Sequence, residues 1–102
     1  MFKFDTRPTF TADVDVKLPD GSTEDFKATF IALPIDTFNS FDIGTPEGAE
    51  AFLVEAFKDA DDIVGEAETP VRFTDGLKAD LINSLPVRKA LIRAYLEKLA
   101  GN

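Results

Sequence analysis

The feature that most constrains this chain is a pair of alternating arms around one turn. Phe10, Ala12, Val14, Val16 and Leu18 alternate with Thr11, Asp13, Asp15 and Lys17, the period-two pattern of a strand with one wet face. Pro19-Asp20-Gly21 follows. Proline presets φ and glycine accepts the left-handed position, so this triplet is a turn with a mechanism. A three-residue loop predicts a type I turn closed by a glycine bulge. That loop sets Leu18 opposite Ser22, Val14 opposite Phe26, Ala12 opposite Ala28 and Phe10 opposite Phe30. Both apolar sets then share one face, and a slip of one residue would destroy the match. The second strand is expected over about Thr23 to Leu33, with Phe26, Ala28, Phe30 and Ala32 inward.

Helical grammar takes over after Pro34. Phe38 and Phe41 can share a turn of a short helix ended by Gly44. Thr45-Pro46 then opens a longer one, with threonine as N-cap and proline at the first helical position. Ala49, Phe52, Leu53, Ala56, Phe57 and Ala60 form a stripe at helical spacing, broken by Asp61, Asp62 and Gly65. Val71 and Phe73 make a short extended piece. Thr74 caps the next helix, whose expected core face is Leu77, Leu81 and Leu85. Pro86 cannot sit inside that helix and starts the last one. There Val87, Ala90, Leu91, Ala94 and Tyr95 form one stripe, with Ile92, Leu96 and Leu99 beside it. The reading is one α+β domain over 1–102, with an N-terminal antiparallel β-hairpin or small sheet at about 10–33 and a mainly helical remainder. Three to four α-helices pack with the sheet.

The residue inventory is poor in catalytic chemistry. The 102 residues include no His, no Cys and no Trp, so the usual acid–base agent, thiolate nucleophiles and thiolate metal sites are missing. Glycines show neither dinucleotide-fold nor phosphate-loop spacing. Asp59, Asp61, Asp62, Glu66 and Glu68 evoke a hard cation, but a calcium loop counted from Asp59 would need a ligand and a glycine where Ile63 and Val64 stand. A solvated acidic loop is the preferred reading. No catalytic, cofactor-binding or metal-ligating residue is assigned, and no cofactor is expected. No stretch approaches the roughly 18 apolar residues of a membrane span. The start MFKFDTRPTF lacks the apolar core of a secretory signal.

Charge is uneven. The net charge is −8, yet residues 86–102 carry Arg88, Lys89, Arg93 and Lys98 against Glu97, a net +3 that leaves −11 on 1–85. An acidic body disfavours nucleic acid. Cations near a helix C-terminus also answer the helix dipole. Of ten Phe, Phe2, Phe4, Phe38 and Phe41 lie outside the clean stripes, which makes them candidates for a partner-facing apolar patch.

The order of segments resembles the tail assembly chaperones of long-tailed bacteriophages. VKLPDGSTEDFKATFIALP is similar to the opening hairpin of that family, ending in its aliphatic–Pro step. Phe52-Leu53 on a helix, an acidic loop, Pro70 to Thr74, the Leu77/Leu81/Leu85 spacing and Ala94-Tyr95 resemble the remainder. The likeness runs over about residues 10 to 97. Many relatives carry a Trp after the central helix, where this chain has Asp61-Asp62-Ile63-Val64. The resemblance implies a non-enzymatic protein of the infected host's cytoplasm, absent from the finished virion. Its partners would be the tape measure protein and, through a C-terminally extended form, the tail tube protein, with weak self-association. In the family that longer form typically arises by a −1 ribosomal frameshift. Ala100-Gly101-Asn102 can be spelled GCG-GGA-AAC, which contains a heptamer of the required form. Phe38, Phe41, Ile92 and Leu96 are the expected client-contact residues, because their apolar bulk exceeds what the stripes require. Two alternatives stand beside this one: a small acidic DNA-mimic inhibitor, and a structural tail or connector subunit.

Overall fold

The computed structural model describes residues 2, 4, 7–61, 63 and 71–99. The hairpin forms as the turn dictates. β1 (Thr9–Lys17) and β2 (Thr23–Ile31) pair antiparallel, with Phe10 opposite Phe30, Ala12 opposite Ala28 and Val14 opposite Phe26. The turn closes through Gly21 N–H to the Leu18 carbonyl at 3.0 Å and Leu18 N–H to the Ser22 carbonyl at 2.9 Å. Gly21 sits at φ +91°, the left-handed region that a side chain resists. Alternation decides burial: Ala12, Val14, Val16, Phe26, Ala28 and Phe30 are buried, while Thr11, Asp13, Asp15 and Lys17 face water. On the wet face Lys27 lies across from Asp13 and its Nζ donates to Oδ1 at 2.8 Å. That bond, and the lysine charge itself, hold the Asp13 carboxyl below its ordinary pKa. β2 stops at Ile31, before the expected Leu33, and Ala32 is only half-buried.

Four helices and a third strand complete the fold: α1 (Ile35–Asn39), α2 (Pro46–Ala56), β3 (Phe57–Asp61), α3 (Asp75–Asn83) and α4 (Leu85–Leu99). The architecture is therefore α+β, a three-stranded antiparallel sheet in the order β1-β2-β3 packed with helices. Both predicted caps form. The Thr45 hydroxyl accepts from Gly48 N–H and the Thr74 hydroxyl from Leu77 N–H, each at 3.1 Å. Pro46 occupies the first turn of α2.

Three expectations need correction. The stripe read through Phe57 and Ala60 as helix breaks at Ala56. Phe57–Asp61 turns extended and pairs with β2, with Lys27 opposite Asp61, Ala28 opposite Ala60, and Phe30 opposite Phe57. Thr29 faces Asp59 while Phe30 faces Phe57, so Lys58 is the extra residue of a bulge. The bulge lets Phe57 and Ala60 both reach the core side, which is why they mimicked a helical spacing. Second, Leu85 is not on the core face of α3. It opens α4 and is exposed, and Ile82 is the buried residue of α3. The chain turns at Ser84, whose extended backbone rotates Leu85 out of line with Leu81. Third, β2 loses Ala32 and Leu33 because the backbone turns toward Pro34, which cannot continue a ladder.

The core is largely aromatic. Phe30, Phe52, Phe57 and Tyr95 are fully buried, each worth roughly 2–3 kcal/mol of transfer free energy. Tyr95 is the hub. Its ring meets Phe52 edge-on at 4.9 Å and Phe30 at 5.5 Å, and stacks on Phe38 at 6.2 Å. Its hydroxyl accepts from the Leu33 backbone N–H at 2.9 Å. Burial pushes the phenol pKa up, with that bond pulling weakly the other way. Arg88 ties three helices together: Nε donates to the Ile82 carbonyl at 2.7 Å and Nη1 to the Pro46 carbonyl at 3.1 Å.

Candidate partner-binding surface

Two elements build the most apolar exterior of the molecule. Where β2 gives way to Pro34, the chain bends into α1 and presents Ile35 outward. The N-terminal arm brings Phe2 and Phe4, whose ring centroids are 6.1 Å apart. Phe2, Ile35 and Phe4 expose 84%, 80% and 76% of their surface, far more than singly scattered apolar residues need to. Phe4, Ala32, Leu33, Pro34, Ile35 and Asn39 line an open groove of about 690 Å³. At its floor Leu33 is buried, and its N–H donates to the Tyr95 hydroxyl. Asp36 supplies a polar rim.

α4 carries a second exposed apolar set. Phe10 touches Tyr95 near one end of β1, and Val16 and Val87 share a groove near the other. α4 therefore runs roughly antiparallel to β1, and Glu97 and Lys98 of its last turn lie beside Thr11, Asp13 and Lys27. Leu96 and Leu99 are exposed in that last stretch.

The four residues expected to touch a client fall into different environments. Phe38 is half-buried, edge-on to Phe52 and stacked on Tyr95. Phe41 is half-buried against Phe52. Ile92 is half-buried against the core, and Leu96 is exposed. Phe38 and Phe41 thus share one aromatic cluster, while Ile92 and Leu96 share the outer side of α4. Of the other two Phe set apart by sequence, Phe2 and Phe4 stand in the open. Sequence reading missed Ile35. Its signal was there: an aliphatic residue directly after Pro34 begins a short helix, where the first turn faces outward and ordinarily holds a polar side chain.

Polar chemistry is sparse. No polar or charged residue is buried among the described residues, and none of their His, Cys, Asp and Glu side chains form a group of three that could hold a metal ion. Asp59 and Asp61 lie on the wet face of β3, with the Asp59 carboxylate accepting from Ala60 N–H at 2.8 Å. Asp62, Glu66 and Glu68 of the acidic cluster, and the Ala100-Gly101-Asn102 end, lie outside the described residues. No helix among those residues is long and apolar enough to cross a membrane.

Comparison with protein-family models finds no match, and comparison with curated proteins and with solved structures finds no significant one.

Proposed function

We propose that this chain is a non-enzymatic assembly chaperone of the long-tailed phage type, which binds a long helical tape measure protein and keeps it soluble until the tail tube forms. The observation that carries this reading is the Phe2–Phe4–Ile35 surface, an apolar patch on a domain with a finished core and a net charge of −8. Such a patch covers apolar faces of a client, while the charge keeps the coated complex in solution. The first half of the element order supports it as well: strand, Pro–Gly turn, strand and Leu33-Pro34 step, followed by helices that β3 interrupts. In this reading the chain works in the cytoplasm of an infected bacterium. Many copies line one client, so weak contacts between neighbours gain avidity. A C-terminally extended form recruits tail tube subunits.

Co-expression with the long helical protein encoded nearby tests the proposal. The client should stay soluble and co-purify with the wild-type chain, and aggregate with the Phe4→Asp/Ile35→Asp variant. Client that is equally soluble without the chain would overturn it. Detection of the chain in purified particles would favour a structural subunit instead.

A further inference from the structure

α4 carries two apolar faces: one is buried within the domain, and the other is largely exposed, with only Ile92 partly packed on the core. Ala90, Leu91, Ala94 and Tyr95 are buried against the sheet and the other helices. On the opposite side, Leu85, Lys89, Ile92, Leu96 and Leu99 recur at intervals of four, three, four and three. That alternation is the seam of a two-helix coil. Leu85, Leu99 and Leu96 expose 61%, 50% and 41% of their surface, and Ile92 between them is half-buried against the core. The seam is about 21 Å long at 1.5 Å per residue. Its spacing fits a helix laid alongside. A strand repeats every two residues and would not follow it.

Charge decides which helix. Lys89 is the one polar residue on the seam, and exposed Arg93 flanks it. Arg88, on the other flank, is held by the Ile82 and Pro46 carbonyls. Glu97, the acid of this helix, faces the β1 side beside Thr11 and Lys27. A partner therefore meets apolar residues and the positive charge of Lys89 and Arg93, neither of which forms an ion pair among the described residues. A second copy of α4 fits badly: parallel pairing sets Lys89 against Lys89, and antiparallel pairing centred on Ile92 sets Lys89 against Tyr95 and Arg88 against Leu96. An anionic membrane is repelled by the −11 carried on residues 1–85.

We infer that the outer face of α4 docks an amphipathic helix whose apolar stripe is bordered by Asp or Glu. The inference rests on the docking function proposed above and assigns the chemistry of the partner. Apolar contact supplies the burial, and Lys89 with Arg93 select the register and the sign of the partner.

The test uses two 21-residue helical peptides, each with Leu at four–three spacing, one flanked by Glu and its twin by Lys. Binding is followed by fluorescence anisotropy and by amide shifts of the full chain. The Glu peptide should bind the wild type and shift α4 amides, and the Lys peptide should bind more weakly. Lys89→Glu/Arg93→Glu should weaken the Glu peptide about tenfold and strengthen the Lys peptide, two exposed charge pairs being reversed. Leu96→Asp/Leu99→Asp should lose the Glu peptide with the circular dichroism unchanged. Equal binding of both peptides, affinity indifferent to charge reversal, shifts confined to other elements, wild-type dimers abolished by Leu96→Asp, or preferential binding to phosphatidylserine vesicles would each overturn the inference. A client held soluble by the α4 variants as well as by the wild type would sink this inference and leave the chaperone function standing. A client ignored by the wild type would sink that function even if the Glu peptide binds.

Discussion

Tyr95 shows how one side chain can join separate elements. Its ring contacts aromatic residues of β1, β2, α1 and α2, while its hydroxyl receives the Leu33 N–H at the point where β2 ends. Tyr95→Phe keeps the ring packing and orphans a buried donor. It should cost about 1–3 kcal/mol, read from urea unfolding, the scale set by an unsatisfied buried polar group. No measurable loss would mean that water reaches the Leu33 amide. Asp20 acts at the opposite end, in the hairpin turn. Its carboxylate accepts from Ser22 Oγ at 2.6 Å and Ser22 N–H at 2.9 Å, and these bonds hold its pKa below 3.8. The unfolded chain thus takes up this proton at a higher pH than the folded one. The turn's stabilisation is complete above the ordinary carboxylate range and disappears as pH falls through the lowered value. The Ser22 amide should titrate with a midpoint below 3.8, the ordinary value, and Asp20→Asn should abolish that titration.

At the scale of elements, the hairpin was legible because turn chemistry and alternation agree on one register. The caps at Thr45 and Thr74 were legible for a similar reason, since each hydroxyl satisfies a local donor. β3 was hidden because its bulge around Lys58 places Phe57 and Ala60 three residues apart on the core side, an interval that a helix also uses. The contrary signal was Asp59, Asp61 and Asp62, acids that a helix C-terminus disfavours. The candidate surface was half legible. Phe2 and Phe4 stood out for lacking a stripe, whereas only the packing of α1 and the bend after it shows that Phe38 and Phe41 share a cluster with Phe52. One packing constraint had no sequence signal at all. α2 approaches the Asp42 backbone so closely at Gly48 that any Cβ there would collide with the Asp42 carbonyl group. Gly48→Ala should therefore destabilise by about 1–3 kcal/mol, as overpacking does, although alanine favours helices. A thermal melt that rises on this substitution would show that the Asp42–Thr45 loop yields freely.

Across the whole molecule, an apolar end and a charge of −8 oppose each other. Copies that meet through Phe2, Phe4 and Ile35 bury greasy surface and bring like charges together. At 0.01 M salt the screening length is about 30 Å, comparable with the 45 × 33 × 27 Å extents of the domain. Every charge on one copy then acts on the other. At 0.15 M it falls to about 8 Å, and only charges near the contact still count. Self-association should therefore strengthen as salt rises over this range, and sedimentation equilibrium would show the average mass climbing. Ile35→Asp should flatten that climb. Leu96→Asp should not, because the α4 seam matches itself poorly in either direction. A protein that worked by presenting its acids to a basic groove would show the reverse sign, its complex loosening with salt. Mass that is constant across the range, or a climb that survives Ile35→Asp, would remove the apolar end from self-association and place the meeting of copies elsewhere on the surface.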